Sequence, residues 1–154
     1  MIINTTTPYR IEAEIEKHGS YASNTVGGSM RPLFKTHRDA VALKKPDAPI
    51  KKYDVVLYAN ADHTKYILHR VVKIKGETLI IRGDNTFVRE YVDASRIIAV
   101  MVSFTRRGKR HTVDEGGYKF YCRFWNFIYP IRWCLHYAAL PFKKIIRKIA
   151  PVKK

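Results

Sequence analysis

The chain has no long apolar run. No segment reaches the ~20 apolar residues that a bilayer-spanning helix needs, and the stretch from Met1 to Thr7 is polar and short. Neither a spanning helix nor a secretory leader is therefore expected. Cysteine is scarce as well. The two cysteines, Cys122 and Cys134, are too far apart for a metal-ligand pair and too few for a disulfide framework, so two semi-buried free thiols are expected. There is no His-x-x-x-His or Cys-x-x-Cys spacing, and no metal or other cofactor is expected. Internal repeats are absent. Acid is in short supply, with 13 Asp+Glu against 29 Lys+Arg and a formal net charge of +16.

The deficit of acid is steepest at the end. Residues 105–154 hold 13 basic and 2 acidic residues, a net +11. Such a block calls for an anionic partner, of which membrane phospholipid and nucleic acid are the obvious ones. No recognised nucleic-acid module accompanies it, which disfavours nucleic acid.

A chain of 154 residues accommodates one domain plus an appendage. Residues 8–17 read as a short helix: Pro8 suits a first turn, Glu12, Glu14 and Glu16 suit the N-terminal half, and His18-Gly19 suits the stop. A strand leads to Val26, and residues 40–43 form another. From there β-branched and aromatic residues dominate at 54–58, 66–74, 78–81 and 97–104. Lys75-Gly76-Glu77 makes a hairpin turn, and 109–113 pairs back across Arg107-Gly108. The expected fold is mainly β, a small antiparallel domain over residues 1–115 with a short N-terminal helix. Beyond Asp114-Glu115-Gly116-Gly117 comes a basic, aromatic helical tail, residues 116–154. Nine aromatic residues fall between Tyr118 and Tyr137. Pro130 and Pro141 are expected to divide the tail into two or three short helices. Near its end Lys143, Lys144, Arg147 and Lys148 alternate with Phe142, Ile145, Ile146 and Ile149 at helical spacing. That pattern fits a helix lying on an anionic membrane through residues 118–150, or one packed on the β domain.

Three motifs carry the chemistry. Gly27-Gly28-Ser29-Met30-Arg31-Pro32 sets a serine after two glycines, which let the backbone turn sharply. Leu68-His69-Arg70-Val71 puts a histidine on an apolar strand, with Ile67, His69 and Val71 on one face and Leu68, Arg70 and Val72 on the other. Gly83-Asp84-Asn85 follows, then Glu90. A serine hydroxyl needs a base to become nucleophilic, and a neutral imidazole serves at neutral pH. Asp84 or Glu90 would orient that imidazole. Backbone N–H groups of Ser29 and near Gly27 or Gly28 would meet a developing oxyanion. Met30 would pack beneath the turn and Pro32 would stiffen it. Arg70 and Arg82 are expected to pair with surface acids. His18, His37, His63, His111 and His136 are weaker candidates.

The ordered set resembles type I signal peptidases and the related self-cleaving SOS-type repressors over roughly residues 20–104. In that superfamily a Gly-x-Ser-Met-x-Pro segment carries the nucleophile. A Gly-Asp-Val-Val-type strand is similar to Tyr53-Asp54-Val55-Val56, with Tyr53 in place of glycine. The general base precedes Arg-Val, as His69 does here and as in the endoplasmic-reticulum and archaeal enzymes. A Gly-Asp-Asn box closes the set, and Glu90 stands where the histidine branch has a further aspartate. The resemblance implies a serine endopeptidase with catalytic Ser29, His69, and Asp84 or Glu90. Gly27, Gly28, Met30 and Pro32 would form the oxyanion and substrate-binding segment. The substrate would be an extended peptide or protein segment with small side chains near the cut. The protein would be cytoplasmic or peripheral at a membrane. The alternatives are a catalytically inactive peptide- or partner-binding module of the same fold and, behind it, a cationic nucleic-acid-binding protein.

Overall fold

A computed structural model describes residues 2–3, 10–60, 62 and 64–149, with the side chains of Ile2, Ile3, Arg10 and residues 140–149 outside that description. Strand β1 (Ile2–Ile3) is followed by helix α1 (Arg10–His18), then β2 (Ser20–Val26), β3 (Ala40–Lys44), β4 (Val55–Ala59), β5 (Tyr66–Lys75), β6 (Thr78–Arg82) and β7 (Glu90–Asp93). A 3-10 turn at Ala94–Arg96 leads into β8 (Ile97–Arg106) and β9 (Lys109–Thr112), followed by helices α2 (Gly116–Phe127) and α3 (Tyr129–Ile149). The fold is mainly β, as its β-branched and aromatic runs imply.

The nine strands form one antiparallel sheet in the order β1-β2-β3-β8-β4-β5-β6-β7, with β9 on β8. Ile2 and Ile3 pair both with β2, opposite Val26 and Thr25, and with β5, opposite Ile67 and Tyr66. This double pairing closes six strands into a ring, and β6 and β7 extend from the far half of β5. Closure removes edges within the ring, leaving β7 and β9 as the outer strands. Neither β1 nor β7 is expected from sequence: two residues carry no periodicity, and β7 buries only Val92.

Alternation along β4 and β5 feeds two separate cores. Val55, Leu57, Tyr66 and Leu68 face the ring interior, with Met30, Leu33, Phe34, Val41, Leu43, Met101 and Phe104. Val56, Tyr58 and Val71 face the other way, against Leu79, Ile81 and Val92. Each fully buried leucine contributes roughly 1.5–3 kcal/mol. Helix α1 packs on the ring core through Ile11 and Ile15, one turn apart and both buried. It stops at Gly19, whose φ of 73° suits a left-handed helix end, where its N–H donates to the Ile15 carbonyl at 2.8 Å. The start expected at Pro8 lies outside the described residues.

The tail departs from expectation in three ways. Helix α2 inserts Tyr118 and Cys122 into the ring core, so the boundary drawn at residue 115 separates elements that share one core. Pro130 falls in the first turn of α3, where a missing N–H is harmless, whereas Pro141 does not end the helix, which runs to Ile149. The thiols are not alike: Cys122 is buried and Cys134 exposed. Among the described residues no helix is long and apolar enough to cross a membrane. The expected basic and apolar faces at residues 142–149 lie outside the described side chains.

Candidate active site

The turn after β2 carries Ser29, half-buried, on Gly27 with φ 96°, a conformation that favours glycine. Thr36 Oγ1 donates to the Gly27 carbonyl at 2.7 Å. Met30 is fully buried beneath the turn, its side chain in the ring core. Gly28 and Pro32 are exposed.

His69 sits mid-strand on β5, opposite Val56 of β4. Its Nε2 lies 3.0 Å from Ser29 Oγ, so two groups forty positions apart in sequence meet at hydrogen-bond distance. The other ring nitrogen, Nδ1, lies 2.8 Å from Glu90 Oε1. The second carboxylate oxygen, Glu90 Oε2, accepts from the Tyr58 hydroxyl at 2.5 Å. Tyr58 Oη is itself 3.4 Å from His69 Nδ1.

Burial sets the electrostatics. His69 is 7% exposed, and desolvation, the largest influence, holds its pKa below the ordinary 6.5; the hydrogen bond and charge of Glu90 pull the other way without prevailing. The bond from His69 is the chief reason that Glu90 titrates below the ordinary carboxylate range, assisted by Tyr58. Burial pushes the Tyr58 phenol well above its usual value, so it remains a donor. At neutral pH the site holds a neutral imidazole between a hydroxyl and a carboxylate. That arrangement can accept the serine proton and stabilise the imidazolium formed.

No family model matches the chain, and no curated protein matches it.

The Gly-Asp-Asn box is built against the turn that carries Ser29. A Cβ on Gly83 would stand 2.7 Å from the Ser29 carbonyl oxygen, 3.0 Å from Ser29 Cβ and 3.1 Å from His69 Nε2. Glycine is needed there for space. Asn85 N–H donates to the Ser29 carbonyl at 2.6 Å, and its side-chain amide reaches the Gly28 carbonyl at 3.3 Å.

Asp84 points elsewhere. Its two oxygens receive Arg70 Nε and Nη2, each at 2.8 Å, in a fully buried bidentate pair. Tyr121 adds a third donor at 2.9 Å. The carboxylate hydrogen-bonded to the imidazole is thus Glu90, while Asp84 is committed to Arg70. Arg70 is 0% exposed and Asp84 3%, so the partner of Arg70 is a buried acid and not the surface acid expected. Its Nη1 donates to the Tyr53 carbonyl at 2.9 Å. Tyr53 occupies a φ of 81°, in the left-handed region that favours glycine.

The tail holds the box from behind. Trp125 Nε1 and Arg132 Nη2 donate to the Asp84 carbonyl at 2.9 and 2.7 Å. Arg82 is also buried, under the Tyr129 ring and bonded to Asn126, again not the surface pairing expected. Sequence reasoning missed Tyr58, the spatial role of Gly83, and this helical clamp. Only Tyr58 had a signal: it alternates onto the Val56 face of β4, which a β4–β5 hairpin sets against His69.

Proposed function

We propose that the protein is a serine endopeptidase resembling signal peptidases of the histidine type. Ser29 Oγ attacks a peptide carbonyl as His69 Nε2 takes its proton. The imidazolium then returns that proton to the leaving amine, and water releases the acyl group from Ser29 by the same route. Glu90 holds the imidazole and offsets its charge. The observation that carries this reading is the 3.0 Å separation of Ser29 Oγ and His69 Nε2, with a carboxylate 2.8 Å behind the ring.

The reading extends to a membrane surface. Phe120, Phe124, Phe127, Ile131 and Leu135 recur at helical spacing along α2 and α3, and all are exposed, Phe127 by 81%. Apolar side chains displayed in this way on a tail (residues 116–154) with 9 basic and no acidic residues suit an anionic bilayer. A substrate emerging at that surface would meet the site there.

Labelling with a fluorophosphonate probe tests the chemistry. The expected result is covalent labelling of the full chain that disappears in Ser29→Ala and His69→Ala. A wild-type protein that neither labels nor turns over peptides, with or without anionic vesicles, would leave the peptide-binding module as the better reading.

A further inference from the structure

A second site lies on the α2–α3 side of the sheet and has no part in the reaction above. A cleft of about 630 Å³ is lined by Lys52, Lys73, Arg82, Arg89 and Arg123, and by no acidic residue. Among the described residues none of these five cations forms an ion pair within 4 Å. Four of them are exposed, where hydration compensates their charge, but Arg82 is 4% exposed.

Arg82 belongs to a crowded group. Arg70, Arg82 and Arg132 gather around one carboxylate, Asp84, and Arg70 takes both of its oxygens. Arg132 reaches only the Asp84 backbone carbonyl. Arg82 is held by the Asn126 amide at 2.9 Å and by the Tyr129 ring 3.4 Å away. Arg82 Nε and Arg132 Nη1 are buried without a hydrogen-bond partner. Buried guanidinium charge normally finds a counter-ion. Here the Asp84 carboxylate is committed to Arg70, and the charge of Arg82 lies beside an open cleft walled by further cations.

We propose that this cleft binds a phosphate group carried on an organic ligand, a phosphomonoester or phosphodiester. Guanidinium groups match phosphate oxygens in geometry and charge. Val72, Ile80 and Phe127, on the same walls, offer apolar surface to the organic part. The ligand's source is a phospholipid headgroup or a soluble phosphoester. Phe127 connects the cleft to the exposed apolar stripe of the tail, which favours the lipid.

The test uses the full chain and two charge-matched double variants, so that loss of overall charge is controlled. Lys73→Gln/Arg89→Gln alters the cleft while leaving buried Arg82 intact. Lys109→Gln/Arg110→Gln alters the exposed β8–β9 hairpin, which is not part of the cleft. Glycerol 3-phosphate is titrated at constant ionic strength while backbone amide resonances are followed. Separately, vesicles of phosphatidylcholine with and without phosphatidylglycerol are co-sedimented with each protein. The expected result is an affinity about tenfold or more weaker in the cleft variant and unchanged in the hairpin variant. Such a loss with glycerol 3-phosphate assigns a soluble ligand, and such a loss only with phosphatidylglycerol vesicles assigns the headgroup. Equal losses in the two variants, or no saturable shift at cleft residues with any probe, would overturn the site. The result is independent of whether Ser29 is reactive, because no step depends on hydrolysis.

Discussion

Glu90 Oε1 lies 2.8 Å from His69 Nδ1, while Glu90 Oε2 accepts from Tyr58 at 2.5 Å. A glutamate has one more rotatable bond than an aspartate, and fixing its second oxygen removes that freedom. Replacing Glu90 by glutamine keeps the shape and removes the charge. Glu90→Gln is expected to lower kcat by about 10²–10⁴-fold with little change in KM. Steady-state kinetics on a peptide substrate would measure it. A variant as active as wild type would remove Glu90 from the mechanism.

The pH profile has a defined sign. Desolvation holds His69 below 6.5 in the folded protein, and the base form is the neutral one. Activity should therefore be on its plateau at neutral pH and fall on acidification through an inflection below 6.5 in kcat/KM. Glu90 favours the protonated ring, so in Glu90→Gln the inflection of the residual activity should move further down. The same shift affects stability. A histidine whose folded pKa is depressed contributes least when acid forces it to charge, so stability decreases as pH falls through that inflection. An inflection above 6.5 would contradict this account of the site.

Tyr58→Phe removes one hydroxyl from a site that is 3% exposed. The ring still packs among Val56, Val71, Leu79 and Ile81, so the fold should survive. Glu90 loses its second anchor, and a decrease in kcat of about tenfold is expected. Glu90 owes part of its low pKa to Tyr58, so the pH profile should shift as well, which a packing defect alone would not produce. An unchanged profile would reduce Tyr58 to a core residue.

Some of this was legible in the sequence. The serine and histidine stand in motifs whose order and spacing point to one another, and strand alternation already separates His69 from Arg70. The partner of the imidazole was not legible. Asp84 and Glu90 both follow β6, and which one reaches His69 depends on how β7 returns. The pairing of Ile81 with Glu90, and of Val71 with Ile81, brings Glu90 back to the face that His69 shares with Val71. The loop leaves Asp84 beside Arg70. The aromatic tail was legible as composition only. That Trp125 and Arg132 would donate to the Asp84 carbonyl is a long-range contact, with no trace in local periodicity.

Gly83→Ala tests the close approach behind Ser29. The added methyl meets backbone oxygen at 2.7 Å, which is not a flexible obstacle. Ser29 and His69 must separate, and misplacement on that scale can cost about 10²-fold in rate. The variant should stay folded by far-ultraviolet circular dichroism yet fail to label with a fluorophosphonate. Full labelling would mean that the turn has more slack than its contacts imply.

The buried pair of Arg70 and Asp84 makes the final prediction, one that separates structure from chemistry. Asp84→Ala leaves Arg70, at 0% exposure, without a counter-charge, and deprives Tyr121 of its acceptor. Breaking such a pair from one side destabilises by about 3–5 kcal/mol. Replacing Arg70 as well, in Arg70→Met/Asp84→Ala, removes the uncompensated charge and should restore part of that loss. Urea denaturation of the two variants and wild type would measure both changes. If Asp84 instead served the imidazole, Asp84→Ala would abolish turnover at nearly full stability, and the double variant would restore nothing. The geometry requires the opposite ordering: a large loss of stability with Glu90, His69 and Ser29 still in contact wherever the protein remains folded.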